Sequence, residues 1–392
     1  MRKFSFKKFF FSLIVFAFIS AGTMVACADL VIKDGDRVAI AGDSITEQKI
    51  YSCYIEAYLL ACSGLKDIKV FQFGCGGEQA KGFAARLETD VWNWKPTVVT
   101  TCYGMNDGYY RKYEELLAGE PHRSSVKKIV DFFKSKGVRV IVGSPGIVDT
   151  YTYKGRNETG ANGYNETLGK LAEFDRQIAL DENVNFANVH DAMMDSMIKA
   201  KAVLGESYHV AGGDGVHPGP NGQLVMAYAF LKEMGFDGQI AKIEMDFNGQ
   251  TMVSAGHKLL SQKPGVVEIE SSRYPFCFTG NEKDPSGNLS ILPFVPFQND
   301  LNRFELIVRN LPTKRAEVIC GNEKKVFNKD DLERGINLAA EFINNPFSLP
   351  FNQLLTELYN KQLFENWMIR NFYANFGSYM PEVNKDSKLK DA

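Results

Sequence analysis

Between residues 36 and 236, short apolar runs alternate with stretches whose apolar positions recur every three or four residues. The first pattern suits strands buried on both faces, the second amphipathic helices. Strands are predicted at Arg37–Ala41, Ile68–Phe73, Thr97–Cys102, Val138–Val142 and Val184–Val189. Helices are predicted over Tyr51–Cys62, Gln79–Asp90, Ser124–Lys136, Thr167–Leu180, Ala192–Ala202 and Asn221–Met234. Strictly alternating strands and helices imply right-handed crossovers, so the expected fold is α/β, a doubly wound parallel sheet in three layers. Residues 151–166, polar and rich in Gly and Asn, read as a long surface loop beside the sheet.

Beyond residue 240 the pattern changes. Gly265–Glu270 and Arg303–Val308 alternate apolar with polar positions, as half-buried strands do, and Pro, Gly and Asn fill the turns between them. Helical spacing returns over Asp330–Phe342 and Phe351–Phe376, and the residues after 380 read as a frayed tail. The expected division is an α/β unit over 29–240, a small β module over 241–328 and a C-terminal helical extension over 329–392. The module either binds a ligand or packs on the first unit and shapes one wall of its cleft. Its Phe276, Phe278, Phe294 and Phe297 suit a core and a binding platform equally.

The first 28 residues change the picture. Arg2, Lys3, Lys7 and Lys8 precede an apolar run from Phe9 to Ile19, and Ala26-Cys27-Ala28 suits cleavage before Asp29. The run is shorter than the ~20 residues a membrane span needs. Residues 1–28 therefore read as a signal peptide and the mature chain as exported, periplasmic or extracellular. Cys27 offers an alternative, attachment to a lipid. No stable membrane insertion is expected, because no other segment is long and apolar enough. Cleavage removes four positive charges and shifts the net charge from −2 to −6. With Lys+Arg 45 against Asp+Glu 47 in the full chain, no basic excess points to nucleic acid. Export permits disulfides. Cys53 and Cys62 lie too far apart along one helix to bridge, Cys75 and Cys102 end neighbouring strands and can approach, and free thiols are the alternative.

Four small blocks fall at the C-terminal ends of predicted strands or just before a helix, the edge where doubly wound sheets bind ligands. Gly42-Asp43-Ser44-Ile45-Thr46 puts a serine on a strand-to-helix turn, where free N–H groups favour a developing anion; a capping serine would look the same. Gly74-Cys75-Gly76-Gly77-Glu78 lets backbone N–H groups approach a ligand, and its spacing matches no common phosphate loop. Gly104-Met105-Asn106-Asp107 offers a neutral amide donor, or an Asx-turn. Asp214-Gly215-Val216-His217-Pro218 spaces a carboxylate and an imidazole so that one can orient the other. A metal set joining Asp214 and His217 with His190 or Asp191 is the rival; the remaining histidines, His122, His190, His209 and His257, read as structural or solvated.

The ordered set GDSIT, GGE, GMND and DGVHP over about residues 36–236 resembles the SGNH/GDSL hydrolase family. The resemblance implies Ser44 as nucleophile, Asp214 and His217 as its triad partners, and Ser44 N–H, Gly77 N–H and the Asn106 amide as oxyanion donors. The second block departs from the family, with Gln72 where an Asn is common and Glu78-Gln79 after Gly77. The chain also resembles larger family members that carry an added β module and C-terminal helices. The expected activity is therefore hydrolysis of O-acyl esters, O-acetyl in particular, on carbohydrate or another small ester, through an acyl-enzyme and with no cofactor or metal. Tyr151, Tyr153, Lys154, Arg156, Asn157, Asn162, Tyr164 and Asn165 in the 151–166 loop suit sugar better than a lipid lid, and a merely solvated loop is the plainer alternative. The competing functions are a short-chain lipase or phospholipase, and a non-catalytic glycan-binding protein on the same fold.

Overall fold

Five parallel strands form the central sheet of the computed structural model, which describes residues 30–155, 159–281, 283–373, 385 and 388. They are β1 (Arg37–Gly42), β2 (Lys69–Gln72), β3 (Val98–Cys102), β4 (Arg139–Gly143) and β5 (Asn185–Ala187), in the order β2-β1-β3-β4-β5. Period-two alternation feeds both faces. Val38 and Ile40 of β1 enter one apolar cluster, while Ala39 and Ala41 enter the other. Parallel strands with both faces buried need apolar side chains at every position, which is why these runs are continuous.

Helices cover both faces. A single turn, α1 (Ser44–Glu47), leads into α2 (Ile50–Ala57), and α3 (Ala80–Ala85), α4 (Glu120–Ser135), α5 (Gly160–Glu182), α6 (Val189–Leu204) and α7 (Pro220–Glu233) follow. On one side α2 packs on α7 and α7 on α6; on the other α3 packs on α4 and α4 on α5. The register pairs Gly42 with Cys102 and Cys102 with Gly143, so β1, β3 and β4 end at one level. The strand order reverses at β1 and β3, and the crevice beside their carboxyl ends is the expected ligand position.

After α7, β6 (Gln239–Asp246), β7 (Met252–Val253), β10 (Arg303–Arg309) and β13 (Ile336–Asn337) form a second sheet, in which β6 and β10 run parallel. Two hairpins stand apart from it, β8 (His257–Lys263) with β9 (Val266–Ser271) and β11 (Arg315–Cys320) with β12 (Glu323–Asn328). Four short helices intervene: α8 (Asn288–Ile291), α9 (Phe297–Asp300), α10 (Lys329–Arg334) and α11 (Leu338–Glu341). The long α12 (Ser348–Met368) closes the described chain with a wider turn over Ile369–Tyr373. Phe276 joins these parts. It is buried, with ring centroids 5.7 Å from Tyr54 on α2 and 4.9 Å from both Phe297 on α9 and Phe351 on α12. Phe276, Phe278 and Phe297 are thus core rather than a binding platform.

Three expectations are corrected. The loop predicted over 151–166 ends early, because α5 begins at Gly160. Tyr164 is buried and donates to the Met105 carbonyl, and Asn165 pairs with both the N–H and the carbonyl of Val148 at 2.8 and 2.9 Å. These two face the protein, not a sugar; Arg156 and Asn157 lie outside the described residues. The helix predicted over Asp330–Phe342 breaks at Gly335, whose φ of +104° admits the edge strand β13. The helix predicted over Gln79–Asp90 breaks at Arg86, whose guanidinium turns back to Glu78 and the Phe73 carbonyl. All six described cysteines, Cys75 and Cys102 among them, are free thiols. The predicted signal peptide with Cys27 and the stretch after 380, apart from Lys385 and Lys388, lie outside the described residues. No helix among those described is long and apolar enough to cross a membrane.

Truncating a buried phenylalanine removes its transfer free energy and leaves a cavity. Phe276→Ala is expected to destabilise the protein by about 3–5 kcal/mol, read as a lower urea midpoint in equilibrium unfolding.

Candidate active site

The first strand ends in a residue that cannot carry a side chain. A Cβ on Gly42 would lie 2.0 Å from the Thr46 hydroxyl and 2.9 Å from the Cys102 carbonyl oxygen. The close approach turns the chain sharply into α1, with the Asp43 carboxylate accepting from the Ile45 N–H at 2.9 Å. Ser44 opens that turn, half-buried, and among the described residues its N–H has no protein acceptor. The helix is one turn long, so what it supplies is an unpaired N–H rather than a substantial dipole.

Residues 212–218 bring the imidazole to the serine. Gly212 and Gly215 have φ of +82° and +79°, and a Cβ would strike the His217 carbonyl at 1.8 Å and the Tyr153 N–H at 2.3 Å respectively. Only glycine fits such positions. Within the loop, one Asp214 oxygen accepts from the N–H groups of Val216 and His217, both at 2.9 Å, and the other meets His217 Nδ1 at 2.6 Å. His217 Nε2 lies 2.9 Å from Ser44 Oγ. Partial burial works against the Asp214 charge, but the His217 backbone and side chain and the Val216 N–H outweigh it and hold the carboxyl below its usual range.

The glycine-rich block forms a turn closed by the Glu78 N–H on the Cys75 carbonyl at 3.1 Å. Gly77, with φ +71°, occupies its third position, where a type II turn requires the left-handed region. Like Ser44, Gly77 has an N–H without a protein acceptor among the described residues. Asn106 follows β3. Its oxygen accepts from the Tyr110 hydroxyl at 3.2 Å, and its amide nitrogen donates to the Glu78 carbonyl at 3.1 Å and lies 3.5 Å from Asp43. The next turn holds Tyr109 and Tyr110 at φ +54° and +58°, a strained pair of aromatic residues beside the site. The five residues expected from the sequence therefore lie on four loops at one edge of the sheet. His190 instead pairs with Asp191 at 2.9 Å, and among the described residues no group of three or more His, Cys, Asp or Glu is placed to hold a metal ion.

Residues 40–225 match the GDSL-like lipase/acylhydrolase family. This part of the chain belongs to that family. The protein is a carboxylic ester hydrolase of the GDSL type. Its relatives include the acetylxylan esterase of Geobacillus stearothermophilus, 26% identical over 228 residues that make up 53% of this chain and 97% of that protein. Among solved structures, a gut microbial diltiazem-metabolizing enzyme is similar over 92% of this chain and 85% of its own, at 23% identity and a TM-score of 0.73. That likeness in fold spans the second sheet and the C-terminal helices as well as the central sheet. A structure of the Geobacillus stearothermophilus acetylxylan esterase aligns over 52% of this chain and 96% of its own, at 22% identity and a TM-score of 0.43.

The GDSL-type loops are anchored by buried charges that periodicity and motif spacing do not reveal. Asp149 is buried against Lys201 at 2.9 Å and accepts from the Val210 N–H at 3.0 Å, just before the His217 loop. Asp107 accepts from the N–H groups of Ala80 and Gly104 at 3.0 and 3.1 Å, tying the second block to the third. Behind it lies His122, 3.2 Å from Asp107 and 2.9 Å from Asp175. Burial opposes a charge on His122, but Asp175 and Asp107 override it and raise its pKa from 6.5 to about 10. Burial likewise raises Asp43 to about 7, against the Ile45 N–H and with Asp107 and Glu78 adding to the rise. Glu78, a departure from the family pattern, is held by Arg86 at 2.7 Å and by the Tyr103 hydroxyl at 2.8 Å.

A histidine that binds its proton more tightly when folded stabilises fully below its unfolded pKa and loses that effect as pH rises through the folded value. The His122 contribution is therefore complete below about pH 6.5 and fades towards pH 10. Melting curves between pH 6 and 10 are expected to show the wild type losing stability relative to His122→Gln across that window.

Proposed function

We propose that this protein is an exported serine esterase that removes O-acetyl groups from carbohydrate through an acyl-enzyme. The observation that carries the mechanism is the line from Ser44 Oγ to His217 Nε2 at 2.9 Å and from His217 Nδ1 to Asp214 at 2.6 Å. His217 takes the Ser44 proton as the hydroxyl attacks the ester carbonyl. Asp214 fixes the tautomer that leaves Nε2 free to accept and stabilises the imidazolium that forms. The Ser44 and Gly77 N–H groups and the Asn106 amide stabilise the oxyanion, a role supported by the two N–H groups without protein partners. His217 then protonates the leaving alcohol and activates water, which releases acetate and restores Ser44. No step calls on a metal or cofactor.

The acetylated-sugar substrate is supported by likeness to an acetylxylan esterase. It is also supported by Tyr151, half-exposed two residues before the Tyr153 backbone that packs on the His217 loop. Export is supported by the basic and apolar residues before Asp29. The catalytic unit proposed is 29–240, with the later sheet and helices as accessory parts.

Ser44→Ala is expected to abolish hydrolysis of p-nitrophenyl acetate with the melting curve unchanged; retained turnover would refute the nucleophile. Asn106→Ala is expected to lower kcat by about 10²–10³ with a small change in KM, measured by steady-state kinetics. Acetate release from a panel of acetylated polysaccharides and peptidoglycan tests the substrate. Faster turnover of C8 than of C2 esters would contradict deacetylation.

A further inference from the structure

Asn366 lies on α12, far outside the family-matched residues 40–225, yet its side chain is buried at the back of two active-site loops. Its amide nitrogen donates to the Gly74 carbonyl at 2.9 Å and lies 3.2 Å from the Gln72 side-chain oxygen. Gln72, also buried, passes the contact on, donating through its own amide to the Thr46 carbonyl of α1. One amide chain thus runs from the C-terminal helix, through the residue that replaces the common family Asn, to the turn opened by Ser44.

The Gly74 carbonyl and the Cys75 N–H belong to one peptide plane. Asn366 holds its oxygen, and the Gly42 carbonyl at the end of β1 accepts its N–H at 3.0 Å. The plane is therefore clamped on both sides at the entry to the Cys75–Glu78 turn. Gly74, Gly76 and Gly77 have no Cβ to restrict rotation, so the loop's stiffness must come from outside it. Space allows no other solution at Gly74, where a Cβ would lie 2.4 Å from the Glu47 nitrogen and 2.7 Å from the Thr46 carbonyl carbon. The far end of the turn is held separately, by Arg86, Tyr103 and Asn106 on Glu78. Further ties seat the helix itself. Lys361 reaches Glu56 at 2.8 Å and the Val70 carbonyl at 2.7 Å, Gln362 donates to Glu56 at 2.7 Å, and Arg370 pairs with Glu47 beside Gly76.

The geometry points to Asn366 as a positioning residue for ester hydrolysis, holding the Gly74–Cys75 peptide so that the Gly77 N–H faces the oxyanion. This inference rests on the proposed roles of Ser44 and Gly77. Without Asn366 that peptide is clamped on one side only, and the turn can swing. An oxyanion donor acts in the transition state, so its misplacement lowers kcat and leaves substrate binding nearly unchanged.

The test uses the full chain carrying Asn366→Ala, and Asn366→Asp, which keeps the size but places an acceptor against the Gly74 carbonyl. Active sites are titrated by p-nitrophenol release with diethyl p-nitrophenyl phosphate, so kcat refers to folded enzyme only. On p-nitrophenyl acetate, kcat is expected to fall by about tenfold with KM within about twofold, and phosphorylation of Ser44 by the titrant to slow in parallel. A wild-type kcat per active site in whichever variant folds, or a lower melting temperature as the sole change, would overturn the assignment. Ser44→Ala is run alongside. If it retains turnover, the esterase mechanism itself fails; if it is inactive while the Asn366 variants turn over normally, only the positioning role fails.

Discussion

Ser44 and His217 are 173 positions apart in the chain and 2.9 Å apart in space. The proposed hydrolysis depends on that contact being held. The parallel sheet sets one side of it: β1 and β4 end at one level, Ser44 leaves β1, and the segment after β4 holds the loop between α6 and α7, the Asp149 N–H donating to the Gly215 carbonyl at 2.9 Å. Glycine then decides how closely those loops approach. At Gly42 and Gly212 a single added carbon would collide with the backbone or side chain it must pass.

Loops rich in glycine gain close approach and lose stiffness. The protein restores stiffness with buried polar anchors: Asp149 with Lys201 behind the histidine loop, Asp107 with His122 and Asp175 behind Asn106, and Glu78 with Arg86 and Tyr103 beyond Gly77. Buried ion pairs are a weak source of net stability, since desolvation offsets much of their attraction. Their geometry is demanding, however, because breaking one leaves a charge uncompensated. They are better understood here as fixing loop positions than as strengthening the fold.

The later part of the chain is joined to the first by apolar and polar contacts together. The Phe276 cluster locks α2, α9 and α12, and the Lys361, Gln362 and Asn366 side chains lie along α2 and β2. An apolar cleft of about 400 Å³ between the second sheet, the two hairpins and α10, lined by Met245, Val267, Val308 and Leu332 among others, shares no residue with the Ser44 site. What ties the accessory parts to the proposed site is the back of the glycine loop, through Asn366 on Gly74 and Gln72.

The five strands, most of the helices and all four chemical blocks were legible in the sequence, because each depends on neighbours in the chain. Alternating apolar runs make buried strands, and turn residues at their ends mark where loops leave the sheet. The ends of α3 and α10 and the start of α5 were not legible. Arg86 breaks the first by bonding to Glu78, Gly335 stops the second by its positive φ, and Tyr164 and Asn165 extend α5 through bonds to Met105 and Val148. The same limit applies to the site. A serine on a turn or an aspartate three residues before a histidine is a local pattern. Lys201 on Asp149, His122 between Asp107 and Asp175, and Asn366 on Gly74 are separated by 52, 15, 53 and 292 positions. No periodicity or spacing rule reaches across such distances; only the packed structure, in which each buried polar group must find a partner, decides which of them meet.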